Sequence, residues 1–247
     1  AAGAIVAVKG VGGYHLMCDA SSDEPIRRLR AAKPRPHKPL AIMMPVDGDD
    51  GLRTLRKQAH FDPPDLERLL DPARPVVLLR RHDDSSLSRL VAPGLNEIGV
   101  MLPYSPLHHL LLHGFGRPLI ATSANISGEP VLTDAEEVEA RLGHIVDACL
   151  HHDRPIVRPA DDSVFRPMAS GLQPIRLGRG STPLELNLPT PLERPTLAVG
   201  GHMKNAIALG WENRLVISPH IGDMGTVRSL SVFESVVEDL QSLFGVA

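Results

Sequence analysis

Short apolar runs alternate along this chain with longer amphipathic stretches, and that switching between a two-residue and a 3.6-residue period restricts its fold more than any other feature. The runs Ile5–Val8, Tyr14–Cys18, Leu40–Met44, Val76–Leu79, Pro118–Ala121, Ser163–Phe165 and Pro174–Leu177 read as strands. Helical patterns lie at Glu24–Ala32, Gly51–Gln58, Pro64–Leu70, Pro106–His113 and Asp134–Leu142. Turn-forming clusters at Pro45–Asp50, Pro72–Pro75 and Asp153–Asp162 punctuate them. The expected fold class is α/β.

With 247 residues, 43% of them hydrophobic and only 3% aromatic, the chain can bury a substantial, mainly aliphatic core. A formal net charge of −3 gives no global basic field for nucleic acid. Cys18 and Cys149 stand far apart without C-x-x-C spacing, which argues against a zinc site or a disulfide framework and suits a reducing compartment. Both are expected to be small buried residues. No window approaches the roughly 18 apolar residues of a membrane span, and no signal-peptide pattern opens the chain, so a soluble, cytoplasmic protein is expected.

Two segments carry chemistry. In Lys33-Pro-Arg35-Pro-His37-Lys38-Pro-Leu40, three cations sit between prolines directly ahead of an apolar run. Arg offers a planar fork and Lys a point charge, a pairing that suits a polyphosphate; the same run also reads as a solvated basic loop. In Ala121-Thr122-Ser123-Ala124-Asn125-Ile126-Ser127-Gly128, hydroxyls and a carboxamide follow a strand-like run, as a donor set that orients a nucleotide.

Several further residues are candidates. Asp161-Asp162-Ser163 offers hard oxygen ligands for Mg2+, with Asp162 the metal candidate, and reads equally as a strand-entry turn. Arg158, Arg166, Arg176 and Arg179 are candidate phosphate contacts or surface charges, Arg176 the foremost. His109 and His113 lie four apart on an expected helix but lack an accompanying H-E-x-x-H base. His151 and His152 fall at an expected strand end, while Gly12-Gly13 reads first as a turn or close backbone approach.

Four prolines between Ser181 and Pro195 suggest an extended linker, at 183–195. Beyond it, residues 196–247 offer a strand at Thr196–Gly200, a hairpin turning at Glu212-Asn213, and an amphipathic helix at Leu230–Phe244. Such a piece makes a poor core alone and is expected to pack on residues 1–182 or on the remainder of a longer domain.

The segments I-V-A-V-K-G-V-G-G-Y-H-L-M-C-D-A, L-R-A-A-K-P-R-P-H-K-P-L-A-I-M, N-E-I-G-V-M-L-P-Y-S-P-L-H-H-L-L-L, P-L-I-A-T-S-A-N-I-S-G-E-P and R-P-A-D-D-S-V-F-R resemble the YrdC-like family of ATP-using, acyl-adenylate-forming domains. The tail segments L-A-V-G-G-H-M-K-N-A-I-A-L and V-I-S-P-H-I-G-D are similar to the start of the second, actin/sugar-kinase-like domain of the hydrogenase-maturation carbamoyltransferases. The resemblance implies a twisted, curved mixed sheet around a large open cavity, followed by an incomplete α/β segment. It also implies a central piece of a longer protein.

By that resemblance, carbamate drawn from carbamoyl phosphate reacts with ATP to give carbamoyl-adenylate, later passed to the C-terminal cysteine of the maturation protein HypE. Lys33 and Arg35 would be the catalytic pair. They would hold the triphosphate with Lys38 and Arg176, while Thr122, Ser123 and Asn125 contact the nucleotide and Ser163 borders the cavity; His202 and Lys204 would meet phosphate in the second domain. Related enzymes of the family make threonylcarbamoyl-adenylate for transfer-RNA modification and usually carry Arg where this chain has Met101 and His where it has Met43. Both departures remove anchors for threonine and favour a smaller substrate. A double-stranded RNA-binding module is the other reading, and the acidic net charge weighs against it.

Overall fold

The computed structural model describes residues 3–33, 37–125 and 128–246. A nine-stranded mixed sheet runs in the order β7-β1-β2-β6-β3-β5-β4-β8-β9. Its strands are β1 (Val6–Lys9), β2 (Tyr14–Asp19), β3 (Ile42–Met43), β4 (Val76–Arg80), β5 (Glu97–Met101), β6 (Leu119–Ser123), β7 (Ala148–Leu150), β8 (Val164–Met168) and β9 (Gly171–Arg176). Pairing is parallel at β1/β7, β3/β5 and β4/β8 and antiparallel elsewhere. The expected α/β class and mixed sheet are what the chain forms.

Both faces of the sheet are covered, so β2 is buried along its whole length. Alternate β2 residues divide between the faces: Leu16 and Cys18 join the larger core and Met17 the smaller. Four helices cover the larger face: α1 (Asp23–Ala32), α2 (Arg53–Arg56), α3 (Pro63–Leu70) and α5 (Ala135–Leu142) supply Ile26 and Leu29, Leu55, Leu69, and Val138 and Leu142 respectively. Helix α4 (Pro106–Phe115) seals the other with Leu112, and Leu107, Leu111 and Phe115 pack against the same cluster. It starts where Ser105 Oγ accepts the His108 N–H and Pro106 fills the first turn. Among the described residues, no helix is long and apolar enough to cross a membrane.

One strand, β5, went unread in the sequence, and β7 was read only by its end at His151-His152. Gly99 interrupts β5 as a breaker would, yet a Cβ there would stand 3.0 Å from Val76 Cγ1, so the glycine lets β4 lie close. Strand β7 is only three residues long, at the sheet edge. Gly13 is the close approach expected of it: a Cβ would meet Val131 Cγ2 at 2.4 Å.

The proline-rich segment is a strand, not a linker. Residues Leu184–Ala198 form β10, paired antiparallel with β11 (Ala208–Ile217), and the register shifts between Asn187 and Leu192 and again between Leu192 and Thr196. Pro189, Pro191 and Pro195 fall inside those irregularities, where a missing N–H breaks no ladder bond. Nor is there a hairpin at Glu212-Asn213. Glu212, with φ of 48°, instead kinks a continuous β11 opposite Leu192.

Helix α6 (Val227–Phe244) packs Leu240 with Ile207, Leu209, Val216 and Ile221 into a separate small core. Polar contacts tie this tail to the larger sheet. Arg228 Nη1 meets Glu137 Oε1 at 2.7 Å, Arg158 pairs with Asp239, and the His220 N–H donates to Leu177 O at 2.9 Å.

A buried polar knot joins β2, α4 and the approach to β8. Asp162 shares its carboxylate between His15 Nε2 at 3.0 Å and Arg179 Nη2 at 2.9 Å, and the Arg179 guanidinium lies 3.5 Å from the Tyr104 ring centroid. Burial alone would raise the Asp162 carboxyl; His15 and Arg179 hold it well below the usual range. His108 packs edge-on to Tyr104, centroids 4.5 Å apart, with neither ring nitrogen hydrogen-bonded. Burial, aided by the neighbouring His15, pushes its imidazole down to about 3.

Ile120 of β6 is fully buried between β2 and β3, so Ile120→Ala should cost about 2–5 kcal/mol of unfolding free energy, against less than about 0.5 kcal/mol for Leu110→Ala on the exposed side of α4. Urea denaturation measures both, and equal losses would contradict this core. His108 generates an acid limb. Below pH about 6.5 the unfolded chain gains a proton that the folded imidazole refuses, so stability falls as pH falls towards the folded value near 3. Between pH 7 and 5, wild type should lose roughly 2 kcal/mol more than His108→Phe. Parallel losses in the two proteins would refute the assignment.

Candidate nucleotide cavity

Between the end of β6, strands β8 and β9, and the tail lies an open cavity of about 740 Å³. Ser123, Asn125, Lys38 and Arg176 all line it, four of the residues singled out in the sequence. Antiparallel register carries β6 to Ser123 opposite His15, after which the chain leaves the sheet and presents Asn125. Lys33, at the C-cap of α1 and 7% exposed, braces this turn. Its Nζ donates to Ser123 O at 2.5 Å and to Asn125 Oδ1 at 3.0 Å. Ser123 Oγ reaches the same Oδ1 at 3.1 Å, and Asn125 Nδ2 donates to Glu129 O. The basic loop and the hydroxyl-rich loop, ninety residues apart, are thus one hydrogen-bonded unit.

Other expected residues fall elsewhere. Thr122 faces a narrow crevice with Arg30, Lys33 and Leu40. Ser163 is fully buried, its hydroxyl accepting from Gly178 N at 2.9 Å and donating to Arg179 O, so it supports the wall from behind. Arg35 and Ser127 lie outside the described residues. Of the four arginine candidates, Arg176 alone lines the cavity. Arg166 pairs with Glu97, Arg158 with Asp239, and Arg179 belongs to the knot. His109 and His113 are exposed and belong to no metal-ligating group among the described residues.

Asp162 does not fit the Mg2+ role expected of it, since both its oxygens are committed to His15 and Arg179 in a buried site. Asp161 faces the cavity instead, with Arg176 Nη1 3.5 Å from its Oδ2. Among the described residues, no three metal-ligating groups converge in the cavity. Mg2+ prefers few protein carboxylates plus phosphate oxygens, so any such ion would arrive with the nucleotide rather than in a preformed cage.

The tail contributes the opposite wall. Lys204, Ser218, His220 and Asp223 line the same space, Lys204 with a left-handed backbone (φ 51°) and its N–H on Asp223 Oδ1 at 2.8 Å. Asn205 Nδ2 holds the turn by donating to Val199 O and Gly201 O. Burial outweighs the partly cancelling charges of Asp161, Arg176, Asp223 and Lys38 and keeps the His220 imidazole below its ordinary value. His220 and Asp223 went unread as site residues, although P-H-I-G-D carries both. Chemically, the cavity offers cations and neutral donors able to grip a polyanion, beside a neutral imidazole and several carboxylates.

Comparison with known proteins bears on this arrangement. The family described as telomere recombination (Sua5, YciO and YrdC) matches residues 1–178, and the HypF Kae1-like domain matches residues 191–247. A carbamoyltransferase HypF of Synechocystis is 41% identical over 98% of this chain, which spans 31% of that relative's length. A threonylcarbamoyl-AMP synthase of Serratia proteamaculans is 30% identical over 53% of the chain and 68% of the relative. A crystal structure of full-length HypF in a phosphate- and nucleotide-bound form superposes with a TM-score of 0.92, at 37% identity, over 99% of this chain and 38% of that one. With a family model over residues 1–178, the chain belongs to the Sua5/YciO/YrdC family, and along nearly its whole length it is similar to part of the carbamoyltransferases HypF.

Proposed function

We propose that this chain binds ATP in the cavity and forms carbamoyl-adenylate, as the first half of a carbamoyl-transfer enzyme. The observation that carries the reading is the convergence of Lys38, Arg176, Ser123 and Asn125 on one cavity, with Lys33 fixing the last two. A carbamate oxygen attacks the α-phosphorus, a new P–O bond forms, and the α–β bridge breaks with its electron pair leaving on pyrophosphate. Lys38 and Arg176, joined by Arg35 on the basic loop, neutralise the triphosphate and the departing charge. Lys33 positions Ser123 and Asn125 against the nucleotide. No covalent enzyme intermediate is needed; orientation and charge neutralisation supply the rate.

The chain spans about a third of the length of the HypF relatives. Supply of carbamate from carbamoyl phosphate, transfer to the cysteine of HypE and a role in making hydrogenase cyanide ligands are therefore proposals for the whole protein. The Serratia relative favours a second reading, threonylcarbamoyl-adenylate synthesis. Against it, Met43 and Met101 are both fully buried cross-strand neighbours and offer threonine neither a charge nor a hydrogen bond. A phosphodiester-binding surface is disfavoured by Glu129, Asp161 and Asp223 in the cavity wall.

ATP–pyrophosphate exchange tests the proposal, with carbamoyl phosphate plus acylphosphatase as the carbamate source beside L-threonine with bicarbonate. Exchange should require the carbamate source and fall about 10- to 100-fold in Arg176→Ala and in Lys38→Ala, the loss of one charge-assisted contact each. Exchange with threonine alone would transfer the chain to the second reading, and variants as active as wild type would remove these cations from the site.

A further inference from the structure

Among the described residues, Glu139, Cys149 and His151 form the one group of three metal-ligating side chains whose donor atoms all lie within 4.8 Å of one another. None of the three lines the nucleotide cavity. We infer that they are the ligands of a divalent-cation site of the Zn2+ class, joining helix α5 to the edge strand β7.

Thiolate, imidazole and carboxylate are the donors this class of ion takes, with water completing a tetrahedron. The backbone brings them together from two elements. Cys149 lies in β7 and His151 two residues on, so the pleat returns both to one side. Glu139 follows Val138, whose side chain is buried in the core beneath α5. At Zn–ligand lengths of about 2.0–2.3 Å a tetrahedron places donors roughly 3.3–3.7 Å apart. Glu139 and His151 already stand 3.0 Å apart, so closing the site means drawing the Cys149 sulfur towards both by at most about 1–1.5 Å, and Glu139, 62% exposed in its side chain, has room to adjust.

His151 is already held as a ligand would be. Its Nε2 lies 3.0 Å from Glu139 Oε1 and its Nδ1 2.7 Å from the Tyr14 hydroxyl, with the Tyr14 ring edge-on at 5.6 Å. A tyrosine hydroxyl donates or accepts. When the cation takes Nε2, the ring proton resides on Nδ1 and the Tyr14 oxygen accepts it, the outer-shell bond that orients metal-bound imidazoles. Binding of the cation releases the Cys149 thiol proton to solvent.

The test uses the full chain stripped with chelator and titrated with Co2+, then with Zn2+ in competition. The expected result is one Co2+ per chain with a thiolate-to-metal absorption band and tetrahedral d–d bands, displaced by Zn2+. Cys149→Ser should abolish the band and weaken Zn2+ binding at least tenfold. Tyr14→Phe should keep the band and weaken binding about 10- to 100-fold. Thermal unfolding in chelator checks that both variants fold, and added Zn2+ should raise the midpoint of wild type but not that of Cys149→Ser, because the ion binds the folded state. Absence of a thiolate band in wild type, its survival in Cys149→Ser, or equal Zn2+ affinity in the two proteins would overturn the assignment.

Discussion

Asp162 carries a charge in the interior, and much of the architecture exists to satisfy it. Taking a carboxylate out of water costs several kcal/mol unless partners compensate, and removing one partner of such a pair typically destabilises by about 3–5 kcal/mol. Here the partners come from opposite ends of the larger unit, His15 from β2 and Arg179 from beyond β9. Arg179 further donates to the carbonyls of Ala73 and Arg74, which pins the turn ahead of β4. The cavity inherits this order. Arg176 Nε donates to Asp162 O at 2.9 Å, so the cation that faces the cavity is aimed by the backbone of the residue that anchors the knot.

Adjacent residues do opposite jobs for a geometric reason. Asp161 and Asp162 sit at the entry to an extended segment, where successive side chains diverge. One carboxylate therefore goes into the interior and the other into the cavity. A sequence shows an Asp pair and its capacity for hard cations; which Asp is spent on a buried ion pair depends on His15 and Arg179, distant in the chain and invisible to local pattern.

Long, strongly periodic elements were legible in the sequence, as were the two loops that carry Lys38 and Asn125, because period and side-chain chemistry are local properties. Elements governed by neighbours were not. Gly99 looks like a breaker until β4 is seen to need the space, and prolines in β10 look like a linker until the bulges that receive them are seen. His220 and Asp223 were hidden because their motif reads as part of another domain, and only docking of the tail turns them towards Arg176.

The apolar wall beside β3 and β5 has the same non-local character. Met43 and Met101 are separated by more than fifty residues yet face each other across the parallel β3/β5 pair, both fully buried. Around them lie Met17, Leu112 and Leu119, an apolar surface that α4 covers. An arginine or histidine placed there would need its charge or polar nitrogens satisfied in a medium that offers no partner, at a cost of several kcal/mol. The two methionines therefore act as one apolar unit beneath α4. Polar groups gather instead at the far end of β6, where Ser123 and Asn125 line the cavity and Lys33 braces both from behind.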